Sequence, residues 1–165
     1  MSLQIIETRH DTPAPLEITS DDEVPIVSRL LSIAKLTRAM LGLKLAEIDL
    51  CAGQDQLLSV FQGTTRASIS TLANAVSVRP STVSKMVDRL IEKGLMQRFR
   101  DPNDARTTLV ELTPFGQHQQ QMVADIWQAV ERDLTKSLAS GEIDNLRGEL
   151  EKVDGLLTAK MSRLR

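Results

Sequence analysis

Five residues able to grip a polyanion fall within seven positions: Arg79, Ser81, Thr82, Ser84 and Lys85. Two are cations suited to phosphate. Three are short hydroxyls that can donate to or accept from base edges. They surround Pro80, whose ring presets φ for the first turn of a helix and whose missing N–H costs nothing there. The cluster thus sits at a helix N-terminus, where free N–H groups and a partial positive charge favour anions. A narrower reading has Ser81 and Thr82 merely satisfying the helix start. Arg79 and Lys85 extend the cluster beyond what a cap needs. A second pair, Asp104 and Arg106, lies in turn chemistry begun by Pro102-Asn103. An arginine at such a tip can enter a minor groove, whose negative potential attracts guanidinium, while the nearby carboxylate holds it in register. Its plainer alternative is a surface ion pair worth under about 1 kcal/mol. The one cysteine, Cys51, precedes a predicted helix, where thiolate is favoured; it reads as an oxidant sensor or as a small buried apolar residue. His10 and His118 share no metal-ligand spacing with Cys51, and no glycine loop is built to cradle phosphate. No catalytic residue, metal or cofactor is expected, and the chain does not read as an enzyme.

The elements that must position these groups run from residue 68 to 113. A helix over ISTLANAV, a turn at Ser77, and a second helix opened by Pro80 come first. Ala73 is small where two helices would cross. Val83, Met86 and Leu90 face inward from the second helix, and Leu72 and Val76 from the first. Gly94 ends the second helix where a left-handed cap residue belongs. Residues 95–101 and 107–112 read as strands joined by the charged hairpin, with Leu109 and Leu112 expected inward. The order is a helix-turn-helix followed by a β-wing. Two uses are open at this point: reading duplex DNA, or assembling with another protein without an operator.

Helical periods flank this unit. Residues 1–22 show none and are assigned to an N-terminal extension. Residues 20–23 have capping-box spacing, and Ile26, Leu30, Ile33, Met40 and Leu41 then recur at three- and four-residue steps through about residue 46 to 48. A short helix follows near 53–61, then a turn at 63–65. Thr113-Pro114 opens a long helix that Gly141 is expected to stop, and a last helix carries Ile143, Leu146, Leu150, Val153, Leu157, Met161 and Leu164. These apolar stripes exceed what a small winged lobe can cover, so a homodimer is expected. The fold class is mainly α with a small β-wing. Residues 23–165 form one protomer, with a winged helix-turn-helix lobe over 66–113 on an all-helical dimerisation scaffold made of 23–48 and 114–165. A pocket between lobe and scaffold would use Arg38, Lys44 and Trp127, unless these are simply solvated charges and a core tryptophan.

Charge supports the nucleic-acid reading once it is divided. The chain carries a net −2. Residues 66–106 hold eight basic against four acidic residues, and the remainder twelve against eighteen. That puts a basic face on an acidic scaffold. Aromatic residues are only 2%, too few for the stacking platforms that hold single strands. No run approaches the ~18 apolar residues of a membrane span, and no secretory pattern opens the chain. With a single cysteine, a cytoplasmic location is expected.

The segments LANAVSVRPSTVSKMVDRLIEKGLMQR and DPNDARTTLVELTPFG resemble the MarR family of winged-helix regulators. That family's wing carries Asp-x-Arg and then a Leu-x-Leu-Thr-x-x-Gly run. Here these are Asp104-Ala105-Arg106, then 109 through Leu112-Thr113-Pro114-Phe115-Gly116. The resemblance in helix order covers about residues 23–165, and in motif about 50–116. It implies a dimer with two winged lobes that binds a pseudo-palindromic operator in double-stranded DNA. It also implies a repressor, released when a small-molecule effector or an oxidant reaches the hinge between lobe and scaffold. Two positions depart from the pattern: Arg79 replaces a small capping residue, and Cys51 stands where threonine is common.

Overall fold

The computed structural model describes residues 24–61, 66–100 and 108–163. The 1–22 extension, the 20–23 capping box, the 63–65 turn, Leu164, and the wing residues Asp104 and Arg106 lie outside the described residues. The elements in chain order are α1 (Ile26–Ala46), α2 (Gln54–Val60), β1 (Ala67–Ser68), α3 (Ile69–Ala75), α4 (Pro80–Glu92), β2 (Met96–Arg100), β3 (Thr108–Leu112), α5 (Pro114–Thr135) and α6 (Ser140–Ser162). Residues 1–36 and 37–165 are two separate units. Of the first, the described part is the start of α1, on which Ile26, Val27, Leu31 and Leu36 are exposed.

The second unit holds the core. Leu45, Leu57, Leu58, Leu72, Val83, Val87, Leu90, Val110 and Val123 are fully buried, so α2, α3, α4, β3 and α5 share one apolar interior. The three strands are antiparallel in the order β1-β3-β2. Met96 pairs Leu112, and Ala67 pairs Val110. All four of these side chains are buried, and the period of two puts them on one face. Val110 and Leu112 are therefore the inward pair of β3. The expectation of Leu109 with Leu112 fails because an odd spacing cannot put both on one face of a strand. The two-residue β1 was not anticipated.

The C-terminal ends of α1, α3 and α4 share one device. Leu50 N–H reaches Leu45 C=O at 2.9 Å, Val78 N–H reaches Ala73 C=O at 3.0 Å, and Leu95 N–H reaches Leu90 C=O at 2.8 Å. Each closes a six-to-one bond over a residue in the left-handed region: Asp49 (φ 56°), Ser77 (φ 53°) and Gly94 (φ 71°). Only Gly94 takes that region freely; for residues with a Cβ it costs about 1–2 kcal/mol. The reading unit's tight turn is thus made at Ser77 against its intrinsic preference, and the interior contacts of Leu72, Ala73 and Val83 hold it.

The break between α5 and α6 also differs from expectation. Gly141 does not stop α5; it lies in the first turn of α6. The helix ends earlier, at Thr135, because Glu142 Oε2 accepts the Ala139 N–H at 2.8 Å and starts a new helix ahead of the glycine. No residue of α6 is buried, and Leu146, Leu150, Leu156, Leu157 and Met161 are exposed. Phe115 and Leu134 of α5 are exposed as well.

Candidate nucleic-acid interface

The helix α4 has two faces. Val83, Val87 and Leu90 are fully buried on one, with Met86 packed beside them. Arg79, Ser81, Thr82 and Lys85 are exposed on the other, and Ser84 is half-buried at its flank. Their side chains make no hydrogen bond or ion pair to any described residue, so they are available to an outside partner. The cap position is Arg79, in extended backbone, and its side chain makes no capping bond. Thr82 N–H instead bonds the Arg79 carbonyl at 2.9 Å. Ser81 and Thr82 are therefore not spent as caps. With no acid in the first turn of α4, this end keeps its full positive potential.

Sequence reasoning missed one member of the face. Arg89 is exposed one turn beyond Lys85 and is likewise unpaired among the described residues. The four-residue spacing from Lys85 was the available signal.

Three ties hold α4 in place. At its C-terminal end, Lys93 Nζ meets Asp49 Oδ2 at 2.8 Å and also donates to the Asp49 carbonyl. On its wing side, Asp88 pairs with Arg98 of β2 at 2.6 Å. Behind it, the Thr113 hydroxyl donates to the Gly94 carbonyl at 2.7 Å while accepting the Gly116 N–H at 3.0 Å. The Thr113 N–H bonds Leu95 C=O at 3.0 Å. A Cβ on Gly116 would stand 1.9 Å from the Leu95 carbonyl oxygen. The Thr-x-x-Gly run is thus a joint: one residue caps α5 and grips the turn that ends α4, and the other lets the two backbones touch.

The outer sheet face carries a second cluster that was not anticipated. Arg66 Nε meets Glu111 Oε2 at 2.6 Å, Gln97 donates to Glu111 Oε1 at 2.8 Å, and the Arg66 guanidinium lies 4.5 Å above the Phe99 ring. The bond from Arg66, aided by Gln97 and opposed by partial burial, holds the Glu111 carboxyl below the usual carboxylate range.

Cys51 is a free thiol and exposed, which overturns its reading as a buried apolar residue. Its N–H bonds Gln54 Oε1 at 2.9 Å. Trp127 lines a cavity of about 440 Å³ with Leu41, Val130, Leu134, Ile143 and Leu146. Arg38 and Lys44 do not line it. Among the described residues no cluster of His, Cys, Asp and Glu could hold a metal.

Comparison with known proteins agrees with this geometry. The MarR family model matches residues 62–108. The multiple antibiotic resistance protein MarR of Escherichia coli (strain K12) is 30% identical over 145 residues, spanning 84% of this chain and 99% of that protein. The chain belongs to the MarR family. The HTH-type transcriptional repressor IacR of Pseudomonas putida is 27% identical over 109 residues, covering 66% of this chain and 65% of that one. The crystal structure of a mutant MarR from E. coli complexed with operator DNA superposes with a TM-score of 0.71 at 27% identity, over 80% of this chain and 95% of that one. As a MarR-family protein the chain is a transcriptional regulator and not an enzyme.

Proposed function

We propose that two copies of this chain bind a pseudo-palindromic operator in double-stranded DNA and repress transcription, releasing the DNA on a small-molecule or oxidant signal. In each copy α4 enters a major groove, with Arg79, Ser81, Thr82, Ser84 and Lys85 toward base edges and phosphates. Arg89 adds a phosphate contact. Arg106, held by Asp104, enters the adjacent minor groove. The observation that carries this reading is the outer face of α4. Its cations and hydroxyls have no partner among the described residues, while its inner face is locked into the core. The solved relative bound to operator DNA supports the same use of the fold.

The division into a lobe over 66–113 and a scaffold of 23–48 and 114–165 belongs to this reading. So does the homodimer. A helix of 23 residues with none buried, and the apolar cavity beside it, call for a covering surface. A second copy supplies that surface with the two-fold symmetry a palindrome requires. Among the described residues no helix is long and apolar enough to cross a membrane. The protein acts in the cytoplasm, where its DNA lies. Cys51, the chain's one thiol and an exposed one, is where an oxidant would act; loss of a peroxide response in Cys51→Ser is the expected sign.

The test is a salt-titrated shift assay on duplex DNA from upstream of the protein's own gene, with wild type and Arg106→Ala. The wild type should prefer that DNA over bulk competitor, with affinity falling steeply as salt rises. Arg106→Ala should weaken it by about tenfold or more without unfolding the protein, the cost of about 1–3 kcal/mol expected for one lost groove contact. No preference for any fragment would overturn the reading.

A further inference from the structure

The recognition helix α4 does more than sit on the core; a chain of contacts around one buried carboxylate joins its middle to the long helix α5. Asp55 is almost fully buried at the start of α2, a costly place for a carboxylate unless its oxygens are bonded. Both are. Oδ1 accepts the Gly53 N–H at 2.8 Å, and Oδ2 accepts the Trp127 indole N–H from α5 at 3.2 Å. Gln120, two turns before Trp127 on α5, donates to the Leu58 carbonyl at 2.7 Å and pins the other end of the short α2. Gly53 takes φ 95°, and a Cβ there would stand 2.9 Å from Met86 Cε, on the packed side of α4. The order of contact is α5, Trp127, Asp55, Gly53, Met86, α4. Trp127 is also part of the wall of the 440 Å³ cavity, so the indole borders that cavity while its N–H faces α2.

We infer that Asp55 and Trp127 are positioning residues for operator reading: their hydrogen bond fixes the pose of the recognition helix relative to the scaffold that α5 belongs to. The inference rests on the proposed operator binding. Its physical content is a division of labour. Non-specific binding needs only cations near phosphates and tolerates a loosely held lobe. Specific binding by two lobes requires both recognition helices to meet their grooves at once, so it depends on how rigidly each is held. Removing a neutral N–H far from the DNA face leaves the first untouched and weakens the second. Neither residue touches the exposed face of α4, so a direct contact cannot explain such an effect.

The experiment compares wild type, Trp127→Phe, Asp55→Asn and the double variant. Each is titrated with operator duplex and with a scrambled duplex, and its melting temperature is recorded. Trp127→Phe keeps an aromatic ring but removes the donor together with part of the indole's volume, which the melting temperature monitors; Asp55→Asn leaves one accepting oxygen in place of two. Each single variant should lose about tenfold of the operator-to-scrambled ratio, with scrambled affinity within about twofold of wild type. The double variant should lose less than the product of the two singles, because both weaken the same joint. Unchanged ratios in folded single variants, or losses that multiply in the double, would overturn the inference. Trp127 is the one tryptophan in a chain without tyrosine, so its fluorescence reports on the joint in the wild-type protein itself. Operator should shift its emission and scrambled duplex should not; the same emission with both contradicts the joint even if a variant fails to fold. A wild type with no operator preference would sink the proposed function, whereas intact preference with insensitive variants would sink the joint alone.

Discussion

The α3–α4 lobe and the helix α6 are built on opposite terms. In the lobe, each element has found its partner within the chain: Leu72, Val83, Val87, Leu90 and Val110 are fully buried. Helix α6 is longer than any element of the lobe and buries nothing, though Leu146, Leu150, Leu157 and Met161 recur along it. Leu45, Leu57, Leu58 and Val123 complete that interior from the neighbouring elements of the same chain. The scaffold's apolar surface is exposed in the single chain and calls for a second one. On the function proposed above, the lobe carries the reading chemistry and the helices around α6 set the distance between two readers.

The same substitution tried in both regions should expose that difference. Gly116→Ala drives a Cβ into the Leu95 carbonyl, at the joint between α4 and α5. Backbone rarely yields to such a clash, and a loss of about 3 kcal/mol is expected in a denaturant titration. A loss below about 1 kcal/mol would mean that the joint is loose. Gly155→Ala lies within α6 with nothing inside 4 Å. It should stabilise by about 0.5–1 kcal/mol through helix propensity alone. Destabilisation there would reveal a close neighbour that the single chain does not supply, and would locate the partner's contact.

A smaller effect concerns pH. The Glu111 carboxyl is held below its usual range chiefly by Arg66, so the folded state binds its proton less readily than the unfolded chain does. Its contribution is present at neutral pH and is lost as pH falls through the acid range. Thermal melts of wild type and Glu111→Gln should therefore differ most at neutral pH and converge in acid. Curves that stay parallel would remove the Arg66 bond from the lobe's stability.

Much of this was legible in the chain because its punctuation is strong. Pro80 and Gly94 mark the ends of the recognition helix, and Thr113-Pro114 opens α5 where expected. The outer face of α4 followed from simple helical spacing. The rest was hidden for definable reasons. The strand β1 has two residues and no period, and its partners Val110 and Leu109 lie over forty residues away. Without β1, the Arg66–Glu111 pair could not be foreseen. Leu109 was expected inward with Leu112, but the register of β3 puts Val110 there. Gly141 read as a stop because glycine weakens helices, but Glu142 caps the new helix first. The Asp55–Trp127 bond joins residues seventy-two apart, and nothing local announces it.

The most direct test of the central claim is a spacing series on the operator. Two lobes on one scaffold should read half-sites about one duplex turn (~34 Å) apart. Inserting about five base pairs between the half-sites turns one groove to the far side of the duplex and should lower affinity to that of bulk DNA; inserting about ten should partly restore it. Affinity indifferent to the insertion would mean that each chain reads alone, and the account of paired readers on a shared scaffold would be wrong.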